Sequence, residues 1–334
     1  MTKIKNILFI MCDQLRADYL GCTGHPTIKT PHIDRLAKQG VVFSNAFVQA
    51  PVCGSSRMCF YTGRYMFSHG ATYNGVPLNV GQPTLGDHMR ELGARTGLIG
   101  KTHMSPDREN MARLGIDATT TSGVLASQCG FEPWERDDGL HPDQLTDDNL
   151  AYNQYLNAQG YAGPNPWHTA ANSGVDANGD LQSGWFLRNA HLKAAVDKEH
   201  SETAYMTNRT MEKIEELGEE PWCLHLSYIK PHWPYIAPAP YHNMYSADDV
   251  IPANRSDAEK QSPHPVVDAF MGHEESLNFS DAQKRTHVIP AYMGLISEID
   301  DNIGRLMAFL KQSGRDKDTL IVLTSDHGDY LGDH

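Results

Sequence analysis

Residues 6–14 read NILFIMCDQ. A short apolar run rich in β-branched residues, closed by an acid and an amide, reads as a strand buried on both faces, with Asp13 at its carboxyl end. Runs of the same kind recur as TGLIGK (96–101), WCLHLSYI (222–229) and TLIVLTSD (319–326), and VVFSNAF (41–47) reads as a further strand. Helical patterns lie between them. One covers about 31–39, with Thr30 as N-cap, Pro31 in the first turn and Gly40 as the stop. Others run from Cys53 to about Tyr65, over 84–92, over 201–217, and over 284–312 with Pro290 near its first turns. Buried runs alternating with helices predict an α/β fold, a mostly parallel sheet with helices on both faces. Ligands bind such sheets at the carboxyl ends of the strands, where Asp13, Lys101 and Asp326 all fall.

Residues 104–200 are rich in Gly, Asn, Asp, Pro and Trp and weakly periodic; they read as an insertion or lid over that edge. Residues 247–280 read as polar loop. The chain has 334 residues, 40% hydrophobic and 21% charged, which suits a globular enzyme with a large core. Its formal net charge of -13 argues against a nucleic-acid or anionic-membrane surface, though not against an anionic substrate in a locally cationic pocket. Cys12, Cys22, Cys53, Cys59, Cys129 and Cys223 form no CxxC pair, and Cys12 and Cys223 sit in strand-like runs. The expectation is a reduced, cytoplasmic protein without a signal peptide or a membrane span. A homo-oligomer is compatible with this composition.

Cys53-Gly54-Ser55-Ser56-Arg57 opens a helix, and a sulfur at a helix N-terminus with an Arg one turn on favours a thiolate and attracts anions. A buried Cys that merely begins a helix is the plainer alternative. Asp13, Asp326 and His327 are hard or borderline ligands on strand ends, suited to one divalent ion; a turn-capping role is the alternative for Asp13. Arg57 and Lys101 would offset negative charge; the alternatives are a surface helix charge for Arg57 and an ordinary strand terminus for Lys101. His232 could exchange protons or only pack on Trp233, and Asn74-Gly75 is a turn pair. Trp134, Trp167, Trp185, Tyr152, Tyr155 and Trp233 would line a substrate pocket or form the insertion's own core.

Five segments in order resemble the type I sulfatases: NILFIMCDQ, GHPTIKTPHIDRLAKQGVVFSNAF, GKTHM, KPHWPY and TLIVLTSDHGDYLGDH. CGSSR resembles that family's Cys-x-Pro-x-Arg modification motif, with Ser55 where Pro is usual. The chain is identified as a member of the sulfatase branch of the alkaline phosphatase superfamily. The pairs Asp13-Gln14 and Asp326-His327, in place of Asp-Asp and Asp-Asn, look like the choline sulfatase and phosphonate monoester hydrolase branches.

The resemblance implies a formylglycine made from Cys53 by a maturation enzyme, and one divalent ion held by Asp13, Cys53, Asp326 and His327. A nitrogen ligand shifts the preference from calcium towards manganese. Binding to a neutral imidazole would weaken as pH falls below about 6.5. Arg57, Lys101 and His103 would surround the nucleophile, with His103 taking a proton. His232 would act as general acid on the leaving oxygen, and Asn74 and Gln14 would contact a small anionic ester substrate. The implied activity is sulfate ester hydrolysis, with phosphonate monoester or phosphodiester hydrolysis as one alternative and an inactive metal-binding remnant as another. The family's Lys beyond the Asp-His pair, its further helices and its small C-terminal sheet have no counterpart here. The expectation is therefore a single sulfatase-type domain over 1–334, truncated at its C-terminus and confined to activated esters.

Overall fold

The computed structural model describes residues 3–142 and 149–334. Strand β1 (Asn6–Asp13) alternates its side chains between two cores. Leu8, Ile10 and Cys12 enter the larger one, Phe9 and Met11 the smaller one behind it. Burial on both faces is what made the run uniformly apolar.

Helix α1 (Pro31–Gln39) begins at Pro31 as expected, but Thr30 does not cap it. The Thr30 hydroxyl instead accepts from Gly21 N (2.8 Å) and faces Asp34 Oδ1 (3.1 Å). The free N–H groups of His32 and Ile33 go to the carboxylate of Asp300, at 3.1 and 2.7 Å. A distant acid supplies the cap that the local sequence suggested. The expected strand over 41–47 is absent. Val41, Phe43 and Phe47 are 79%, 80% and 82% exposed, and the segment is irregular. High β-propensity forms a strand only where a neighbouring strand completes the ladder, and among the described residues none pairs with it.

Helix α2 (Cys53–Thr62) stops before Tyr65 because Gly63 takes φ 63° and returns its N–H to Cys59 O. Short α3 (Met66–His69) follows. Helix α4 (Leu85–Glu91) opens with a Thr84–Asp87 capping box, and β2 spans Arg95–Gly100. Helices α5 (Arg108–Arg113) and α6 (Thr121–Ala126) lead to β3 (Glu132–Arg136).

The stretch read as an insertion thus contributes a strand of the main sheet, paired in parallel with β2. Its remainder holds α7 (Ala151–Ala158) and a small antiparallel sheet of β4 (Ser173–Val175), β5 (Leu181–Ser183) and β6 (Lys193–Ala194). Residues 143–148 of that stretch lie outside the described residues. Tyr152 and Trp167 are buried in the large core, with Trp134, Tyr155, Trp185 and Trp233 packed against it.

Helix α8 (Glu202–Leu217) is capped by Ser201, whose hydroxyl accepts from Ala204 N. Strand β7 (Trp222–Pro231) is buried throughout. Residues 247–280 are not simply loop: they include α9 (Pro265–Met271) and α10 (Glu274–Ser280). Both are largely exposed, so no apolar stripe announced them. Helix α11 (Ala282–Gln312) runs through Pro290, and β8 (Thr319–Ser325) closes the series.

The main sheet has the order β3-β2-β7-β1-β8, and every pairing is parallel. Helices α8 and α11 cover one face with the large core; Met58 and Tyr61 of α2 cover the other. The carboxyl ends of β1, β2, β7 and β8 therefore open on one edge. No helix among the described residues is long and apolar enough to cross a membrane.

Glu298 of α11 lies in the large core, 1% exposed. Burial pushes its carboxyl from 4.5 up to about 7, only partly offset by a bond from Ser201 and the charge of Lys230. A carboxyl raised on folding contributes fully below its unfolded value, and that contribution is lost as pH rises through the folded one. Glu298→Gln is therefore expected to stabilise the protein at pH 8 by about 3 kcal/mol, and by little at pH 4.5. Urea unfolding at both pH values checks this; an equal effect at the two would rule it out.

Candidate active site

Because the sheet is parallel, Asp13 ends β1, Lys101 follows β2, His232 follows β7 and Asp326 follows β8 on the same edge. Extended Val52 turns directly into α2, so Cys53 is its first helical residue. The whole first turn, from Cys53 to Arg57, is buried, with the helix N-terminus set against the strand ends. Asn74 accepts from Gly54 N at 2.7 Å. A Cβ at position 54 would lie 2.9 Å from that same oxygen, so a side chain there would press Asn74 off the helix start. The Asn74 side-chain carbonyl is thus spent on the helix start.

Asp13, Cys53, Asp326 and His327 come together with their ligand atoms within 4.8 Å of one another. Cys53 Sγ is 3.5 Å from Asp13 Oδ1 and 3.0 Å from His327 Nε2. Asp326 meets fixed partners through both of its oxygens, Asp13 through Oδ2. Asp326 Oδ1 accepts Gln14 N (2.9 Å) and His327 N (2.8 Å), and Oδ2 accepts Arg57 Nε (2.8 Å). Asp13 Oδ2 takes Lys101 Nζ, with the Arg57 guanidinium 3.7 Å away. Asp13 Oδ1 is left towards Cys53 and His327. His327 Nδ1 donates to Gly328 O at 2.7 Å, which puts the lone pair of the neutral ring on Nε2, inside the cluster. Oxygen, imidazole and sulfur donors converging with their outer atoms already bonded fit a divalent ion.

The cations are equally buried. Arg57 is 0% exposed and Lys101 1%. Arg57 also donates to Lys101 O (2.6 Å) and Ser227 Oγ (2.8 Å), while its second terminal nitrogen has no hydrogen-bond partner among the described residues. Burial alone would raise the Asp13 carboxyl; Lys101 first, then His232, Arg57 and His327, hold it well below the usual range. Asp326 is raised, by burial and by the nearby Asp13 charge. Burial would lower Lys101, and Asp13 more than reverses that.

His103 sits at φ 53°, and its N–H and that of Thr102 both donate to Asp138 Oδ1 at 3.0 Å. Burial, then the charge of Lys101, lowers it to about 4, and its buried Nδ1 has no partner among the described residues, so the neutral ring is free to accept a proton. His232 is lowered to about 3 by burial, with Nδ1 donating to Trp233 O at 2.7 Å. The resting His232 is thus neutral, and it must take up a proton before it can act as the acid that was expected. Gln14, at φ 65°, points its amide at Tyr235 OH (3.3 Å) and Asp329 Oδ2, and Tyr235 also donates to Asp329 (2.5 Å). Tyr235, Asp329, Ser227 and Asp138 were missed. Tyr235 and Asp329 stand within the quoted KPHWPY and SDHGDY, whereas Ser227 and Asp138 carry no local signal. Cys12 and Cys223 are core residues, Cys59 lies 3.3 Å from His69 Nε2, and all six cysteines are free.

The sulfatase family model matches residues 5–334. The chain belongs to the sulfatase family. It is 32% identical to the multifunctional alkaline phosphatase superfamily protein PehA of Trinickia caryophylli, across 99% of this chain and 64% of that one. It is 28% identical to an arylsulfatase of Clostridium perfringens, across 98% and 64%. The phosphonate monoester hydrolase SpPMH of Silicibacter pomeroyi superposes with a TM-score of 0.81 at 29% identity, over 99% of this chain and 64% of that one. The chain therefore spans a little under two thirds of the length of these sulfatase-family relatives.

In this sulfatase-family site, burial lowers His327, but the charge of Asp326 and the Cys53 thiol raise it to about 10. An ion must displace that proton. Its apparent affinity is therefore expected to weaken about tenfold per pH unit from pH 9 to pH 7, rather than only below 6.5. His327→Ala is expected to lower affinity by about one to two decades and to flatten the slope. Calorimetric titration with manganese at pH 7, 8 and 9 measures both; a pH-independent wild type would refute the competition.

Proposed function

We propose that this chain carries the catalytic site of a hydrolase for small anionic esters, in the first place sulfate esters, with a nucleophile derived from Cys53. The convergence of Asp13, Cys53, Asp326 and His327 beneath the buried cations Arg57 and Lys101 carries the proposal. Asp13, Asp326 and His327 would hold a calcium or manganese ion, and formylglycine at position 53 would supply a hydrated aldehyde as oxygen nucleophile.

This chain's own residues do the rest. Arg57 and Lys101 are desolvated and pre-aimed, so they offset negative charge without reorganising. The anchor from Asn74 to Gly54 N fixes the helix start that carries residue 53. Neutral His103 accepts the proton released when the product is expelled. His232 senses the charges of Asp13, Lys101 and His327. It faces the leaving oxygen and passes a proton to it once the arriving anion has made it basic enough to hold one.

A second reading, phosphonate monoester or phosphodiester hydrolysis, is favoured by the likeness to SpPMH and by Gln14 and His327 in the acid pairs. Both readings place the same residues around a tetrahedral anion. The test is peptide mass spectrometry of residue 53 with paired assays on an aryl sulfate and an aryl phosphonate monoester in added manganese. An aldehyde at 53 with faster sulfate turnover supports the first reading, and faster phosphonate turnover the second. An intact thiol with no turnover leaves the metal-binding remnant.

A further inference from the structure

The large core holds an ammonium group that the reaction above does not use. Lys230, 5% exposed near the end of β7, makes no ion pair among the described residues. Its Nζ donates instead to Asn172 Oδ1 (2.8 Å), Pro234 O (2.9 Å) and His232 O (3.5 Å). An ammonium has three hydrogens, and all three are engaged. Two of the acceptors are main-chain carbonyls on either side of Trp233. The carbonyl between them, Trp233 O, accepts from His232 Nδ1. The Trp233 indole stacks on the His232 ring at 5.0 Å and meets the edge of Trp185 at 4.9 Å.

Burial lowers Lys230 to about 8, against the opposing charges of Glu202 and Glu298. Among the described residues each of those acids keeps one buried oxygen without a hydrogen-bond partner, Glu202 Oε2 and Glu298 Oε1. A buried charge that turns to carbonyl dipoles and not to the acids around it is a poor stabilising device. It is, however, a rigid clamp on three consecutive residues. We propose that Lys230 is a positioning residue: its ammonium group holds the carbonyls of residues 232 and 234, and so the Trp233 carbonyl between them, so that His232 keeps one tautomer and presents Nε2 to the leaving oxygen. The proposal rests on the role given above to His232, but the arrangement of the ring can be read without turnover.

The test uses Lys230→Met, together with Lys230→Met/Glu298→Gln, which removes an acid along with the cation should the single variant fold poorly. Histidine 15N NMR, with the His232 signal assigned by its loss in His232→Gln, reads the tautomer directly. The wild type is expected to show only the Nδ1–H form, and the folded variants a mixture with Nε2–H. In assays, kcat should fall about ten- to a hundredfold for an alkyl ester and less than about threefold for an activated aryl ester, with KM unchanged. Folded variants that keep the wild-type tautomer and the wild-type ratio of alkyl to aryl turnover would overturn the proposal. A changed tautomer in a protein that hydrolyses neither ester would sustain the clamp and refute the reaction.

Discussion

Cys53→Ala is expected to abolish measurable turnover of an aryl sulfate, a loss of at least about 10⁴ in kcat, while the fold persists. The expectation follows from where the sulfur sits. It is the one group of the metal-ligand cluster that also stands at a helix N-terminus, 3.0 Å from His327 Nε2 and 3.5 Å from Asp13 Oδ1. The variant keeps Asp13, Asp326 and His327, so it should lose at most about two decades of ion affinity. It also keeps Arg57, Lys101 and Asn74, so substrate anions should still bind. Steady-state kinetics beside a manganese titration separate the two losses. Residual turnover above about a hundredth of wild type would show that residue 53 is not the nucleophile and that the ion acts on water directly. Ser55 bears on the same experiment. Its hydroxyl is buried without a partner among the described residues, in the motif position where Pro is usual, so the wild type must first be shown to carry the aldehyde.

The strands and the residues at their ends were legible because both depend on short-range signals. A buried parallel strand must be apolar throughout, and a charged residue that ends it is conspicuous, as with Asp13 and Asp326. The helix start at Cys53 was legible for the same reason. What failed needed a distant partner. The segment 41–47 has the composition of a strand and lacks a neighbour to pair with. Thr30 looks like a cap until Asp300, far along the chain, takes the N–H groups of α1. The strand Glu132–Arg136 was hidden in a stretch without alternation because its five residues are all half-buried at a sheet edge. Within the site, residue types and order were readable, but protonation was not. The sequence lets His232 be an acid and His327 a neutral ligand. Burial of one, and the carboxylate and thiol beside the other, reverse both resting states.

Arg57→Met is expected to lower the stability of the ion-free protein by about 3–5 kcal/mol, the cost of removing one partner from a buried ionic cluster. Arg57 is bound on three sides: to Asp326 Oδ2, to Lys101 O and to Ser227 Oγ. Asp326 and Asp13 together hold its guanidinium still further above its ordinary range despite burial. Methionine fills much of the same volume and carries no charge, so packing is nearly conserved and the electrostatic loss is isolated. In the variant two carboxylates remain close together, with Lys101 and His327 as the remaining cations. One of the acids must then take up a proton or the cluster must open. A divalent ion bound at Asp13, Asp326 and His327 would supply the missing positive charge at the same place. Saturating manganese is therefore expected to recover part of the lost stability, and to stabilise the variant more than the wild type. Urea unfolding of both proteins in chelator and in manganese gives the four values required. A loss below about 1 kcal/mol in chelator would mean that the carboxylates are not balanced by Arg57. A large loss that manganese leaves unchanged would place the ion elsewhere than between these two acids.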